Sequence, residues 1–282
     1  MSLRQPQIPA EVLEAVIAIE PGVQSMAQRT LPGGWDCQAW SLGERLVVKV
    51  PRGPDAAERL NREVSLLGAL KGKVSLTIPE PVLLAFQPTS VVYPMIPGEP
   101  LLPDRYRQLD VRAKDRLAHD LGQLISELHA ANLPAHAVGA WPAPEDIVAR
   151  VLPDLPRNLR LTATALVDEV LSLPPDADVF GHFDLHGWNM AFDHNTGRLN
   201  GVFDFGDCGR GPLHRDHVYP SLTDPDLARR IAALQPVETG RLRLLAGLHR
   251  LFEAGDPVFT DDQRAANLQS ALDWLSSPWE AE

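Results

Sequence analysis

The chain has 282 residues, 44% hydrophobic and 22% charged, enough to bury a sizeable core in one large domain or in two lobes. Its 26 basic against 37 acidic residues leave a net charge of -11, which argues against binding nucleic-acid phosphates and is compatible with a cationic small molecule, though solubility alone accounts for it. Two cysteines, no basic-then-apolar leader pattern and no apolar run near the roughly 18 residues needed to span a bilayer point to the cytoplasm, with no membrane association.

In chain order, residues 11–19 read as a short helix closed by Pro21 and Gly22. Gly33 and Gly34 break the chain, residues 38–40 and 45–50 read as strands, and Leu42-Gly43-Glu44 turns between them. Leu60, Val64 and Leu67 with the small Ala56 and Ala57 predict an amphipathic helix over 55–70, opened by Pro54 and Asp55. Two apolar runs, 82–86 and 90–93, read as further strands. Pro94, Pro97, Gly98 and Pro100 then form a stiff connector, which places a lobe boundary there.

Beyond it, Leu117, Leu121, Leu124, Ile125 and Leu128 recur at helical spacing, in a long helix that ends near Asn132 and Pro134. A second helix is expected over 158–173, and residues 224–274 read as largely helical. Between them a β-like island, 179–205, holds the densest polar chemistry.

That island contains Gly181-His182-Phe183-Asp184-Leu185-His186-Gly187-Trp188-Asn189 and, further on, Phe203-Asp204-Phe205-Gly206-Asp207. Phosphoryl transfer needs such a set: one carboxylate to orient a hydroxyl and accept its proton, and an amide oxygen with a second carboxylate to hold magnesium on phosphates. A cation for the phosphates and a carboxylate to aim it are offered by Lys49 in Val47-Val48-Lys49-Val50 and by Glu63 on the following helix.

The order H-x-D-x-x-x-x-N then D-F-G resembles the catalytic and metal-binding loops of the aminoglycoside phosphotransferase family, relatives of the protein kinases. The resemblance runs from about residue 31 to about residue 220. It implies an α+β, bilobal protein-kinase-like fold with a small β-rich N-lobe (1–95, linker about 94–100) and a larger, mostly helical catalytic and acceptor-binding lobe (101–282). It implies Asp184 as catalytic base, Asn189 and Asp204 as Mg2+ ligands, His182 as a brace and Asp216 as an anchor of the catalytic loop. Lys49 and Glu63 would serve the nucleotide phosphates, and Pro94 and Ile96 would offer a carbonyl and an amide to the adenine. The implied activity is O-phosphorylation of a small molecule with ATP or GTP as donor, an aminoglycoside first, with macrolides and metabolites such as choline or amino sugars as alternatives. Gly33-Gly34-Trp35-Asp36 with Val48-Lys49-Val50-Pro51-Arg52 is most similar to the macrolide and hygromycin-type branches.

Three positions depart from the family pattern. The nucleotide-covering loop has Gly33-Gly34 in place of G-x-G-x-x-G, Phe183 stands where glycine is usual, and Gly187-Trp188 replaces Pro-Gly. His129 and His186 read as structural hydrogen-bonders, Trp188 as the tryptophan to watch, and Asp256, Asp261, Asp262, Glu280 and Glu282 as acidic candidates for a cationic acceptor. Cys37 and Cys208 raise a redox pairing for consideration. Two other classes remain open: a metal-dependent hydrolase built on His182, Asp184, His186, His214, Asp216 and His217, and a non-catalytic nucleotide-binding regulator.

Overall fold

The structure, a computed structural model, describes residues 7–32, 34, 36–84 and 89–276. The chain packs as two units: Met1–Pro100 with Asn189–Asp207, and Leu101–Trp188 with Cys208–Glu282.

The first unit opens with α1 (Ala10–Ile19) and a 3-10 turn, Pro21–Ser25, followed by β1 (Gln28–Thr30), β2 (Cys37–Leu42) and β3 (Leu46–Pro51). Helix α2 (Pro54–Leu70) comes next, then β4 (Val82–Leu84) and β5 (Ser90–Pro94). The strands form one antiparallel sheet in the order β1-β2-β3-β5-β4. Its two faces bury different sets, as the two-residue period of a strand requires. Val48, Trp40, Leu42 and Val92 pack on Val12 and Val16 of α1, while Val47, Val91 and Tyr93 pack on Leu60 of α2. Residues 85 and 86, expected to extend β4, lie outside the described residues.

The second unit starts with α3 (Pro103–Arg107) and α4 (Val111–Ala130), capped by the Asp110 side chain, which accepts from the Ala113 N–H at 2.8 Å. Its stripe of Leu117, Leu121, Leu124, Ile125 and Leu128 is fully buried. Helices α5 (Pro144–Val151) and α6 (Arg157–Leu171) lead into β6 (Asp178–Gly181). The chain then enters the first unit for the hairpin of β7 (Met190–Asp193) and β8 (Arg198–Val202), and returns for β9 (Gly209–Pro212). Among the described residues there follow α7 (Leu213–Asp216), α8 (Pro220–Thr223), α9 (Pro225–Ala232), α10 (Thr239–Gly255) and α11 (Asp261–Ser276). Ile147, Val151, Leu166, Leu248, Leu251 and Trp274 belong to one hydrophobic core cluster of this unit.

The island expected over 179–205 is therefore two separate ladders, β6 with β9 and β7 with β8. The β7–β8 hairpin is tied into the first unit by the reciprocal bonds of Glu99 and Phe192, each 2.9 Å, and by Val202 N–H to Thr77 C=O at 3.1 Å. Gly98 makes this approach possible: its φ is +138°, and a Cβ there would sit 2.6 Å from the Ala191 carbonyl carbon. Among the described residues no helix is long and apolar enough to cross a membrane.

Candidate active site

On β3, Lys49 shares with Val47 the sheet face that meets α2. The buried stripe of α2 is Ala56, Leu60, Glu63, Leu67 and Leu70, one carboxylate in an otherwise apolar row. Lys49 Nζ lies 3.2 Å from Glu63 Oε1, 3.3 Å from Oε2 and 3.3 Å from Asp204 Oδ1. Glu63 Oε1 also accepts the Phe205 N–H at 3.2 Å. Burial works against the Lys49 charge, but Glu63, Tyr93, Asp204 and Cys37 together outweigh it and hold the ammonium proton well above the usual lysine range. Burial raises the Glu63 carboxyl, opposed by Lys49 and by the Phe205 N–H.

Asp204 has φ +63°, a left-handed conformation uncommon for a residue with a Cβ. The Phe203 N–H donates to the Asn189 carbonyl at 3.0 Å, so the two arms flanking the hairpin bring residues 189 and 204 to the same end of it. Asn189 is buried and the Asp204 side chain is 42% exposed. One amide oxygen and one carboxylate form a hard donor pair of the kind Mg2+ takes while keeping several waters, so the residues present fit that ion.

Pro94 ends β5 opposite Leu46. The Met95 N–H is engaged with the Arg45 carbonyl at 2.7 Å, so the next main-chain donor along the linker is that of Ile96.

In the second unit, Asp184 lies on the loop that leaves β6, with its side chain 27% exposed and 3.2 Å from His186 Nε2. The residues before it are held from behind. His182 and Asp216 are fully buried. Asp216 Oδ1 accepts the Phe183 N–H at 2.7 Å, and Oδ2 pairs with His129 Nε2 at 2.9 Å. Burial acts to raise the Asp216 carboxyl, yet His129, the Phe183 N–H and His217 more than compensate, and it stays below the usual carboxylate range. On the far side of Asp184, the Gly187 N–H donates to Thr223 Oγ1 at 2.7 Å and the Gly187 carbonyl accepts from Leu101 N–H at 2.9 Å.

Phe183, in the usual glycine position, has φ +57° and is buried. Its ring occupies space that glycines leave: a Cβ on Gly211 would sit 2.9 Å from Phe183 Cζ, and one on Gly181 3.0 Å from Cε2. The Arg215 guanidinium lies over the same ring at 5.8 Å and over Trp141 at 4.9 Å. Phe183 is visible in the sequence as a departure, but no local pattern there signals that Gly181 and Gly211 make room for it.

Glu253 on α10 was not anticipated. Burial pushes its carboxyl up to about 7 against the pull of Arg250 and His186, and the charges of Asp184 and Asp256 add to the rise. The His249–Glu253 spacing of four residues on one helix was its only trace in the sequence.

The hydrolase constellation does not assemble. His182 to His186 follow β6 and lie on no strand, and among the described residues no three His, Cys, Asp or Glu side chains gather as a metal-ligand set. His214 Nδ1 is bonded to Asp176 at 2.9 Å and its Nε2 accepts the Glu238 N–H at 3.0 Å, while burial pushes His217 down to about 4. Both cysteines are buried, and burial pushes the Cys37 thiol up to about 11, the state of an inert thiol. Trp188 is 56% exposed, and Asp261 and Asp262 lie in the exposed first turn of α11. Gly33, Trp35, Trp279, Glu280 and Glu282 lie outside the described residues.

The sequence model of the phosphotransferase enzyme family matches residues 27–220. Among solved structures, the chain is similar to the GDP complex of wild-type aminoglycoside 2'-phosphotransferase-IIIa, with 20% identity, 97% of this chain and 100% of that one covered, and a TM-score of 0.79. The GDP and kanamycin complex of APH(2")-IIIa gives 21% identity, 95% and 99% coverage and a TM-score of 0.78. Macrolide 2'-phosphotransferase MphH from Brachybacterium faecium gives 19% identity, 97% and 100% coverage and a TM-score of 0.60. A search of curated protein sequences gives no match. The likeness shows the α+β, protein-kinase-like fold expected from the sequence.

Proposed function

Because the chain belongs to the phosphotransferase enzyme family, we propose that it transfers the γ-phosphate of a magnesium-bound ATP or GTP to a hydroxyl of an aminoglycoside or related antibiotic. The observation that carries this reading is the Lys49 ammonium, held between Glu63 and Asp204 at 3.2 and 3.3 Å. A buried cation aimed by one carboxylate and reaching a second, half-exposed one is an arrangement for phosphates and their counterion.

In this reading Lys49, oriented by Glu63, neutralises phosphate charge, and the linker offers the Pro94 carbonyl and the Ile96 amide to the nucleotide base. Asn189 and Asp204 would hold Mg2+, whose chemistry is to offset charge on the phosphate oxygens. Asp184 orients the acceptor hydroxyl and takes its proton. His182 and Asp216 keep the backbone ahead of Asp184 in place. Because phosphoryl transfer passes through a loose transition state, most of the rate comes from positioning and charge stabilisation.

An amine-bearing acceptor is favoured by the carboxyls acting on one another around Asp184, namely Glu253 and Asp256. The kanamycin and gentamicin complexes of structural neighbours support the same class, and the macrolide enzyme keeps macrolides as the second reading. A nucleotide donor makes the cytoplasm the place of action. The test is nucleoside-diphosphate release with ATP and GTP across aminoglycosides, macrolides, choline and amino sugars. Release that depends on a macrolide or metabolite alone would overturn the aminoglycoside assignment.

A further inference from the structure

The chain has only Gly33-Gly34 where a glycine-rich phosphate loop is usual, so fewer positions there let the backbone approach phosphates freely. Of this stretch, Gly34 and Asp36 are described. A Cβ on Gly34 would lie 3.9 Å from Asp204 Oδ2, which puts Gly34 beside the carboxylate assigned to the metal.

Two residues on, Asp36 receives both prongs of Arg59, Nε to Oδ2 and Nη2 to Oδ1, the forked geometry that fixes orientation as well as distance. The Asp36 carbonyl also accepts from Arg52 N–H at 2.8 Å, which starts the β2–β3 ladder. Arg59 stands on α2 one turn ahead of Glu63, so the two share a face. One helix therefore holds Lys49 and the Phe205 N–H through Glu63, and Asp36 through Arg59. The Asp36 bond dominates the charge environment of Arg59, with further contributions from Asp55 and Asp207.

Resting on the phosphotransferase reading above, we propose that Asp36 and Arg59 form a clasp that ties the start of β2, two residues past Gly34, to α2 and makes both positioning residues for the nucleotide phosphates. A half-exposed ion pair adds little to fold stability, so a pair with no other role would leave nucleotide affinity alone when broken. The clasp instead predicts a defect confined to the donor.

The experiment measures binding of MgADP and MgGDP by titration calorimetry, and donor KM where turnover is seen. The proteins are wild type, Asp36→Ala, Arg59→Ala and the double variant, with melting temperature as the control for folding. The clasp predicts that each single change weakens nucleotide about fivefold, that the double is no weaker than either single, and that kcat and acceptor KM stay within about twofold. Unchanged affinity in either single variant, or additive losses in the double, overturns the clasp. Loss in Arg59→Ala with none in Asp36→Ala would mean that Arg59 meets the phosphates directly, which also overturns it. Calorimetry reads these outcomes whether or not an acceptor is turned over, so failure of the clasp is separable from failure of the acceptor reading.

Discussion

Lys49 and Asp204 stand 155 residues apart in the chain and 3.3 Å apart in space, with Glu63 on the other side of the same ammonium at 3.2 Å. The Lys49–Glu63 pair is nearly buried on both sides. Removing one partner is expected to cost about 3 kcal/mol, because the other charge is left in a dry site, whereas replacing both by apolar residues should restore much of that. Urea unfolding should show Glu63→Ala and Lys49→Ala destabilised and Lys49→Met with Glu63→Leu close to wild type, while none of the three uses nucleotide normally. A double variant as unstable as the singles combined would show that the pair is not coupled as described.

Phe183 combines two opposing terms. A left-handed backbone costs a residue with a Cβ about 1–2 kcal/mol, and burial of the ring is worth about 3–5 kcal/mol. Packing wins, so Phe183→Gly should be destabilised by roughly 2–3 kcal/mol. Phe183→Ala should be worse still, since alanine loses the ring and keeps the backbone cost, the reverse of the usual ranking of these two residues. Chemical denaturation of the two variants checks the order, and alanine more stable than glycine would contradict it.

How much of this could be read in advance divides along the length scale of the signal. The strands around Lys49, helices α2 and α4 and the residues of both polar loops are visible as local periodicity and spacing, because each is fixed by neighbours in sequence. The strand partners are not. Gly209–Pro212 has no β-branched or aromatic residue, so β9 carries no strand signal of its own and exists because Phe180 and its neighbours pair with it. The placement of the β7–β8 hairpin depends on Gly98, Thr77 and Glu99, about 90 to 125 residues earlier, and no local pattern encodes that. The same holds for Glu253, whose significance comes from the tertiary neighbours that raise its carboxyl.

Asp216 makes stability depend on acid. Its folded carboxyl lies below its unfolded value of about 3.9, so its contribution is present above that pH and is lost as pH falls through the lower folded value. Asp216→Asn is therefore expected to be markedly less stable at pH 7, by about 3 kcal/mol, with a shallower fall of stability below pH 4 than wild type. Parallel acid limbs for the two proteins, from denaturation at a series of pH values, would contradict the assignment.

Glu253 has the opposite sign. Its folded carboxyl, pushed up to about 7, is protonated at pH 6 and mostly ionised at pH 8, so the folded state loses stability as pH rises between about 4.3 and 7. The ionised form is the one that attracts an ammonium group. Acceptor KM for an amine-bearing substrate should fall about tenfold from pH 6 to pH 8 in wild type and stay flat in Glu253→Gln, with donor KM unaffected in both. A wild-type profile retained in Glu253→Gln would remove Glu253 from acceptor recognition.

The central claim is the role of Asp184, and nucleoside-diphosphate release by wild type and Asp184→Ala tests it most directly, with magnesium, ATP or GTP, and the panel of candidate acceptors. The account predicts acceptor-dependent release by wild type, its loss in Asp184→Ala, and nucleotide affinity within about twofold in the two proteins, because Asp184 acts on the hydroxyl and not on the donor. Turnover retained in Asp184→Ala, or nucleotide binding lost together with turnover, would contradict it.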